Sequence, residues 1–419
     1  MAPNITPYVA NKTILIAGAG VSGLAFAISL RKLWPSLPGD PKPPRIIIYE
    51  RETHADVMGR EGYSLSLRSD GVSDGMTALK EMGIVDQMLQ ASITGQQGEQ
   101  GTFHVWNNDW QTLIAVSGRE RKDLPVEGLR ISRKNMRSVL IDAVDPNDQI
   151  VWGVSCVSVE RGTDMPLNVH LSDGNIASCD VLVAADGSSS KIRSQLRPQD
   201  TLDYAGVTCI AAASVFTDGQ IPPPADKDWG LVLNGTGISV FVSPQDETRA
   251  SWNVSWRTAT PEPAKKQPMN EEEANDLIRL VQEKGSYFRE PFQEIIQNTD
   301  KTSIIKFNAM DKTPFEQGNA VRDFPAIFLG DALHAVSPFA GAGANLALHD
   351  VFTLAEQFCA YENLEEAVAE FDKRAIPRAA GILKQSRWSI GVAHSTGWMS
   401  WFYQWMFSAL NWVFFGGRN

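Results

Sequence analysis

Three glycine-containing segments hold the residues whose types and spacing suit chemistry on a bound nucleotide. The first, residues 18–23, reads GAGVSG and matches the GxGxxG pattern between a predicted strand and a predicted helix. Its first glycine allows a tight turn, its second lets a pyrophosphate approach the backbone, and its third lets the helix pack on the strand. The residues expected to contact the ligand are Gly18, Gly20, Val21, Ser22 and Gly23.

Glu50 ends the second predicted strand, where a carboxylate accepts hydrogen bonds from a ribose hydroxyl. The N-terminus of the intervening helix supplies unpaired N–H donors and positive potential for phosphates. Together these features predict dinucleotide binding and leave NAD and FAD both open.

The second segment begins at Asp186-Gly187, directly after an apolar strand, and runs to Arg193. Taken alone, it fits a turn followed by a serine-capped helix, because Asp-Gly and serine runs favour both. Any ligand role for this segment therefore depends on its neighbours.

The third segment, residues 330–345, reads GDALHAVSPFAGAGAN and is the most informative. Asp331 ends a strand, where it can accept hydrogen bonds from polyol hydroxyls. Gly341 and Gly343 let the backbone approach a ligand. A helix predicted from about Ala344 starts there, and its N-terminus stabilises negative charge such as a reduced flavin carries. His334 is interpreted as a residue that orders the loop, and we do not assign it proton transfer.

The elements that must position these segments predict an α/β fold. A βαβ unit opens the chain, and short β runs between residues 202 and 257 indicate a separate antiparallel sheet. Helices are predicted for most of the chain after Ala344. The polar, glycine-rich region from about residue 91 to 122 is predicted to be a lid or hairpin.

Composition and charge exclude several classes of protein. The 419 residues include 43% hydrophobic and 21% charged residues, which is ordinary for a globular protein. A net charge of −11 disfavours nucleic-acid binding, which needs lysine and arginine against phosphates. The four cysteines have no metal-ligand spacing and fit reduced thiols of a cytoplasmic protein. The N-terminus has no pattern of a signal peptide.

The C-terminal stretch, residues 392–415, contains four tryptophans, one histidine, His394, and no aspartate, glutamate, lysine or arginine. Ser400, Gln404, Ser408 and Asn411 recur at helical spacing and form one polar stripe. We favour a helix packed on its own protein. Peripheral contact with a membrane interface, which tryptophan prefers, and a membrane span are the alternatives.

The three segments, in this order, resemble those of the single-component FAD-dependent aromatic hydroxylases, the group A flavoprotein monooxygenases. The resemblance covers roughly residues 12–360. The Asp331 segment is most similar to the tetracycline-inactivating and fungal polyketide hydroxylase branch. The resemblance implies a Rossmann-like, GR2-type FAD-binding domain with an inserted antiparallel substrate domain and C-terminal helices.

Residue roles carried over from that family extend the candidate site. Asp186, Gly187 and Arg193 match a segment linked to both FAD and NADPH use, and Arg133 matches an arginine that contacts FAD. Arg51, Arg60 and Gly62 compete for a contact beside the ribose acid. The cofactor-binding set implied by the resemblance is Gly18, Gly20, Val21, Ser22, Gly23, Glu50, Arg51, Gly62, Arg133, Asp186, Arg193, Gly330, Asp331, Pro338, Gly341, Gly343, Ala344 and Asn345.

The implied domains are discontinuous. Residues 1–75, 125–200 and 300–360 form the FAD-binding domain, residues 76–124 and 201–299 the substrate domain, and residues 361–419 a C-terminal helical region. The sequence leaves the oligomeric state open.

The implied reaction uses NADPH to reduce FAD, which takes up O₂ as a C4a-hydroperoxide and oxygenates an electron-rich small molecule. Pro338 and Phe339 are expected near the reaction space. Trp229, Phe241, Trp252 and Trp256 are expected to roof a flat apolar pocket for a polycyclic aromatic or indolic substrate.

Baeyer–Villiger oxidation or epoxidation with rearrangement, and a flavin protein without oxygenase activity, stay open. A halogenase is disfavoured, because its Trp-x-Trp-x-Ile-Pro segment is missing.

Overall fold

The computed structural model describes residues 6–36, 39–59, 63–69, 74–94, 101–116, 121–217 and 220–415. In these residues the strands, numbered in chain order, are β1 Thr13–Ala17, β2 Arg45–Glu50, β3 Ser64–Arg68, β4 Phe103–Trp106, β5 Thr112–Val116, β6 Gly128–Ser132, β7 Gln149–Trp152, β8 Cys156–Arg161, β9 Leu167–Leu171, β10 Ile176–Cys179, β11 Val181–Ala184, β12 Asp203–Val215, β13 Trp229–Leu233, β14 Ile238–Pro244, β15 Arg249–Arg257, β16 Ile305–Asp311 and β17 Ala326–Phe328.

The helices in the described residues alternate with these strands and fill the C-terminal part. They are α1 Val21–Leu33, α2 His54–Gly59, α3 Gly75–Met82, α4 Val85–Gln90, α5 Arg133–Asp142, α6 Lys191–Leu196, α7 Glu271–Lys284, α8 Phe292–Gln297, α9 Asp331–His334, α10 Gly343–Ala360, α11 Leu364–Ala393 and α12 Gly397–Phe415. Two short 3₁₀ helices span Trp34–Ser36 and Pro338–Ala340.

A five-stranded parallel sheet forms the centre of the nucleotide-binding part, in the order β17-β11-β1-β2-β7. Its central strands are short apolar runs, such as Ile14-Leu15-Ile16, and these side chains are fully buried. Strands buried on both faces are typical of α/β folds. Helices α1 and α10 pack on each other across this core, where the rings of Phe26 and Phe358 meet edge to face at 5.6 Å. The predicted α/β fold class is confirmed.

A seven-stranded sheet forms the second part, in the order β16-β12-β15-β14-β13-β4-β5. Its pairs are antiparallel except β13 with β4. The hairpin predicted in the polar region after residue 91 is β4–β5, at the edge of this sheet. Strand β16 pairs with β12 and so lies in this sheet as well. The domain boundaries themselves stay a prediction.

Two smaller sheets complete the fold. Strands β3 and β6 form an antiparallel pair, and Ser64 in β3 donates a hydrogen bond to the Pro244 carbonyl at 3.0 Å. This pair therefore joins the second sheet directly to the nucleotide-binding part. Strands β8, β9 and β10 form the other small sheet.

The C-terminal helix α12 packs on the β4–β5 hairpin, as the favoured prediction holds. Tyr403, Phe407 and Leu410 contact its apolar residues, and Ser400 and Asn411 are buried. The predicted polar stripe thus faces the protein in part, because the Ala115 N–H donates to Asn411 at 3.4 Å. Within the described residues, no helix combines the length and apolarity that a bilayer crossing requires.

Candidate functional site

The three glycine-containing segments meet at one edge of the parallel sheet. They follow β1, β11 and β17, which are neighbours, and parallel strands bring their carboxyl ends to the same edge. A Cβ placed on Gly18 would lie 2.6 Å from the Ala185 carbonyl oxygen, and one on Gly330 would lie 2.1 Å from Ser22 Oγ. The segments are therefore in direct contact, and glycine is required where they touch.

The glycines of the first segment have two different surroundings. A Cβ on Gly23 would lie 2.0 Å from the Gly18 carbonyl oxygen, so protein packing requires this glycine. A Cβ on Gly20 would meet no atom of the described residues within 4 Å. Gly20 also caps α1 without a side-chain hydrogen bond, which leaves N–H donors of the first helical turn for a ligand. The open space beside these donors fits a pyrophosphate.

Glu50 is buried and organises the glycine loop. Its Oε2 accepts a hydrogen bond from the Ala19 N–H at 2.8 Å, and its Oε1 accepts one from the Glu52 N–H at 2.9 Å. A carboxylate has room for further donors, so a ribose hydroxyl can still bind here.

Arg137 holds the same loop from the other side, and the sequence reasoning missed it. Its Nη2 lies 2.8 Å from Glu50 Oε2, its Nη1 donates to Glu52 at 2.5 Å, and its Nε donates to the Ala19 carbonyl at 2.8 Å. The signal that could have found it is its spacing, one helical turn after Arg133 at the start of α5.

Asp331 is the first residue of the short helix α9, which follows β17. Its side chain is solvent-exposed, yet the surrounding protein desolvates the carboxylate and raises its pKa. The positive potential of His334, and then of Arg133 and Arg193, opposes that rise. Tyr63 is exposed as well, and desolvation likewise raises the pKa of its hydroxyl. A carboxylate at this position suits a ligand whose hydroxyl groups donate hydrogen bonds to it.

Arg193 and Lys312 hold the turn that carries Asp331. Arg193 is buried, and its Nη1 donates to the Ala332 carbonyl at 3.0 Å. Lys312 Nζ donates to the Leu333 carbonyl at 2.8 Å. Arg193 and Lys312 therefore hold the backbone of the third segment in place.

The start of α10 presents backbone toward open space. Gly341 has φ +58°, a left-handed conformation that favours glycine, and no described atom lies within 4 Å of a Cβ placed there. Helix α10 begins at Gly343, and its N-cap, Ala342, makes no side-chain hydrogen bond. The N–H groups of Gly343, Ala344 and Asn345 belong to the first turn, whose donors have no acceptor four residues back. These donors suit the negative edge of a ligand ring.

The side chain of Asn345 has another task. It is buried, its Oδ1 accepts from the Arg68 N–H, and its Nδ2 donates to the Ser66 carbonyl, both at 2.8 Å. It pins β3 to α10, so only the backbone of Asn345 is left for the cofactor contact expected from the sequence.

His334 is part of a buried chain of polar contacts. Its Nε2 lies 2.6 Å from Asp350 Oδ2, and Arg378 Nη1 donates to Asp350 Oδ1 at 2.7 Å. The chain ties the third segment to α10 and α11, which fits the interpretation of His334 as a loop-ordering residue.

The remaining predicted cofactor contacts differ in position. Arg133 is the first residue of α5, and its N–H donates to the Tyr63 carbonyl at 3.1 Å. Asp186 accepts from the Lys191 N–H at 3.0 Å, and burial raises the pKa of its carboxyl. Arg51 is exposed at the end of β2, while Gly62 and Arg60 lie outside the described residues.

The aromatic residues expected to roof a pocket lie on two opposite faces of the second sheet. Trp229 and Phe241 are half-buried. Trp252 and Trp256 are buried in the core cluster under α7 and α8. Alternate residues of a strand point to opposite faces, so the structure removes these two tryptophans from the roof. This corrects the expectation for Trp252 and Trp256.

Pro338 and Phe339, which precede Gly341 in the third segment, complete the site. Pro338 is exposed, and the ring of Phe339 meets that of His394 edge to face at 5.4 Å. His394 Nε2 lies 3.0 Å from Ser255 Oγ in β15. Phe339 thus joins the nucleotide-binding edge to the second sheet.

Comparison with known proteins gives the chain a family. The model of a family described as an FAD binding domain matches residues 11–386. Monooxygenase cfoF of Aspergillus candidus is 34% identical over 93% of this chain and 93% of its own length. The aurachin C monooxygenase/isomerase of Stigmatella aurantiaca is 27% identical over 88% of this chain and 86% of its own length.

Solved structures share the fold at lower identity. Klebsiella pneumoniae HpxO complexed with FAD and uric acid has a TM-score of 0.71 and 18% identity, covering 97% of this chain and 95% of that chain. The tetracycline destructase Tet(51) has a TM-score of 0.64 and 16% identity, covering 96% and 95% of the two chains.

Proposed function

Since the chain belongs to the FAD-dependent monooxygenase family to which these comparisons point, we propose that it oxygenates an electron-rich aromatic, polyketide or indolic small molecule in secondary metabolism. FAD, when bound and reduced by NADPH, supplies the electrons that activate O₂. NADH in place of NADPH fits the sequence equally. The cytoplasmic location stays a prediction.

The observation that carries this proposal is the meeting of the three segments at one sheet edge. The open side of Gly20 and the N-terminus of α1 would hold the pyrophosphate, and Glu50 the adenine-side ribose. Asp331 would accept hydrogen bonds from the ribityl hydroxyls, and the N-terminus of α10 would stabilise negative charge on the ring. Each role uses an atom or a space that the described protein leaves available.

The protein's own part in the reaction is to position the substrate and exclude water. We expect Phe339, Trp229 and Phe241, all three half-buried, to line the substrate space between the two parts. A lining of this kind suits a flat ring and keeps water from reactive species. The chain shows no second GxGxxG pattern, so we propose that NADPH binds transiently against the flavin.

The test is oxygenation by the holoenzyme. Purified protein with FAD is supplied with NADPH and ¹⁸O₂ and screened against phenols, polyketides and indoles. We expect one class to accelerate NADPH oxidation and to gain a single labelled oxygen atom. Flavin that NADPH does not reduce with any member of the panel would instead support a redox protein without oxygenase activity.

A second outcome of the same chemistry follows from one relative. The name of the aurachin C monooxygenase/isomerase couples oxygenation to isomerisation. We therefore include epoxidation with rearrangement, and Baeyer–Villiger oxidation, as alternatives to hydroxylation. The carbon skeleton of the ¹⁸O-labelled product separates them, because hydroxylation alone leaves it unchanged.

We also propose peripheral membrane contact through α12. Its outward face carries Trp398, Trp401, Trp405 and Trp412, whose exposed fractions are 74%, 67%, 58% and 74%. Tryptophan prefers the membrane interface, and an uncharged aromatic ridge on a helix that lies along the protein suits this depth.

Sedimentation with phosphatidylcholine vesicles tests this contact. The wild-type protein should sediment with the vesicles, and the double variant Trp401→Ser/Trp405→Ser should stay in solution. Trp388→Ser is the matched control, since Trp388 is 52% exposed on the neighbouring helix α11. Equal sedimentation of all three proteins would contradict the contact.

A further inference from the structure

Arg130 in β6 is buried between the two parts of the molecule, and its hydrogen-bond partners are all neutral. Its Nε donates to Ser243 Oγ at 2.7 Å, its Nη1 to Ser66 Oγ at 2.6 Å, and its Nη2 to the Ser64 carbonyl at 3.2 Å. Ser243 belongs to the second sheet, and Ser64 and Ser66 belong to β3. The guanidinium therefore lies where the nucleotide-binding part meets the second sheet.

Other arginines in the interior of the described chain have acids close by, and even Arg193, which donates mainly to backbone carbonyls, has Asp200 Oδ2 3.9 Å from its Nε. Arg137 pairs with Glu50 and Glu52, and Arg378 pairs with Asp350. In the described part of the chain, Arg130 forms no ion pair with a carboxylate. A buried charge is costly unless it is paired, so an uncompensated guanidinium indicates that its counter-charge comes from elsewhere.

The electrostatic surroundings agree with this contact pattern. Burial, with a smaller contribution from the positive charge of Arg68, lowers the pKa of Arg130 to about 9. The side chain still carries its charge at neutral pH. No acid among the described residues opposes that decrease.

Two aromatic rings flank the guanidinium. Its Cζ lies 5.4 Å from the ring centre of Trp229 and 5.6 Å from that of Phe241. Both rings are half-buried on the sheet face opposite the Trp252 core. A guanidinium has five N–H donors, and the hydrogen bonds to described residues use three. One N–H on each terminal nitrogen is left, and such a pair suits an anionic oxygen group.

We propose that Arg130 binds an anionic oxygen of the substrate, so that the enzyme selects flat rings that carry an ionised enol, phenol or carboxylate. This inference rests on the proposed function, because it places the substrate between Trp229, Phe241 and the flavin. The ligand supplies the negative charge that no described carboxylate provides to Arg130. Arg130 then acts as a specificity-determining residue.

Equilibrium titration of the FAD-loaded enzyme, followed by the flavin absorbance spectrum, tests the proposal with three probes of similar shape. 4-Hydroxycoumarin is an ionised enol at neutral pH, coumarin-3-carboxylate carries a carboxylate, and 4-methoxycoumarin is neutral. We expect at least one anion to bind roughly tenfold or more tighter than the neutral ether, as for a hydrogen bond to a charged group. The anion that binds tighter identifies the enolate or the carboxylate as the preferred source.

Variants assign the preference to Arg130. Arg130→Gln should remove the difference between anion and ether while the ether affinity stays the same, and Arg130→Lys should keep part of the difference because it keeps the charge. FAD content and thermal unfolding of each variant show whether it is folded. If Arg130→Gln does not fold, the wild-type and Arg130→Lys titrations decide.

A wild-type enzyme that binds all three probes equally, or binds none, overturns the proposal, and so does an Arg130→Gln variant that keeps the preference. The ¹⁸O₂ assay reports separately on the proposed function. Anion preference without oxygenation leaves the role of Arg130 standing and removes the oxygenase. Oxygenation without anion preference supports the proposed oxygenase and overturns the role of Arg130.

Discussion

Two buried arginines, in different regions of the molecule, differ in whether a carboxylate balances their charge. Arg137, beside the glycine loop, contacts two carboxylates and one backbone carbonyl. Arg130, at the junction with the second sheet, contacts two hydroxyls and one carbonyl. The charge of Arg137 is thus balanced by residues of the nucleotide-binding part itself. Under the proposal above, a ligand balances the charge of Arg130, so Arg137 would stabilise the nucleotide site and Arg130 would select the substrate.

The largest expected effect is on FAD binding at the glycine loop of residues 18–23. Gly20→Leu should abolish FAD binding, because the side chain would occupy the open space beside the N-terminus of α1. FAD retention after gel filtration measures it. Gly381→Leu is the matched control, since a Cβ there also meets no described atom within 4 Å but lies on the exposed side of α11. An FAD-saturated Gly20→Leu variant would mean that this loop is not the pyrophosphate site.

Arg137→Gln should produce the next largest effect, on stability. It removes the guanidinium that pairs with the buried Glu50 and the partly buried Glu52, and breaking such a buried pair costs about 3–5 kcal/mol. Urea unfolding of the apo protein measures the loss. The double variant Arg137→Gln/Glu52→Gln should recover part of it. A loss below about 1 kcal/mol would show that this pair resembles a solvent-exposed one.

Asp331→Asn should weaken FAD binding and stabilise the apo protein. Desolvation raises the pKa of Asp331 in the folded state, so keeping it ionised lowers the free energy of unfolding above that pKa. This cost disappears as the pH falls below the folded-state pKa. The variant should therefore unfold at a higher temperature than wild type at pH 8, and the gap should narrow toward pH 4. A constant gap would show that the effect is not titration of this carboxyl.

The smallest expected effect tests the hydrogen bonds of Arg130. Ser243→Ala removes the acceptor for its Nε and should cost about 1–3 kcal/mol, the penalty for a buried donor left unpaired. Ser239→Ala is the matched control on the same strand, because the buried Ser239 hydroxyl has no partner among the described residues. Equal unfolding free energies for the two variants would show that Ser243 does not support Arg130.

The sequence predicted the features that depend on local pattern. The glycine turn at residues 18–23, the strand end at Glu50 and the helix that begins at Gly343 lie where they are expected, whereas Asp331, expected at a strand end, begins the short helix α9 three residues after β17 ends at Phe328. The first three are encoded within a few neighbouring residues, through backbone geometry and apolar runs.

The features that the sequence did not predict depend on contacts between distant residues. The pairing of Arg137 with Glu50 and of Arg130 with Ser243 joins elements far apart in the chain. The face on which Trp252 lies depends on strand register: Trp252 pairs with Val242, and Phe241 pairs with Asn253. Composition alone cannot place aromatic residues on one face or the other.

The FAD content of the purified chain tests the central claim most directly. Apo protein is incubated with excess FAD and freed of unbound cofactor, and its flavin absorbance is compared with its protein concentration. The account predicts a single FAD per chain, held where the three segments meet. A protein that stays colourless after this treatment would contradict it.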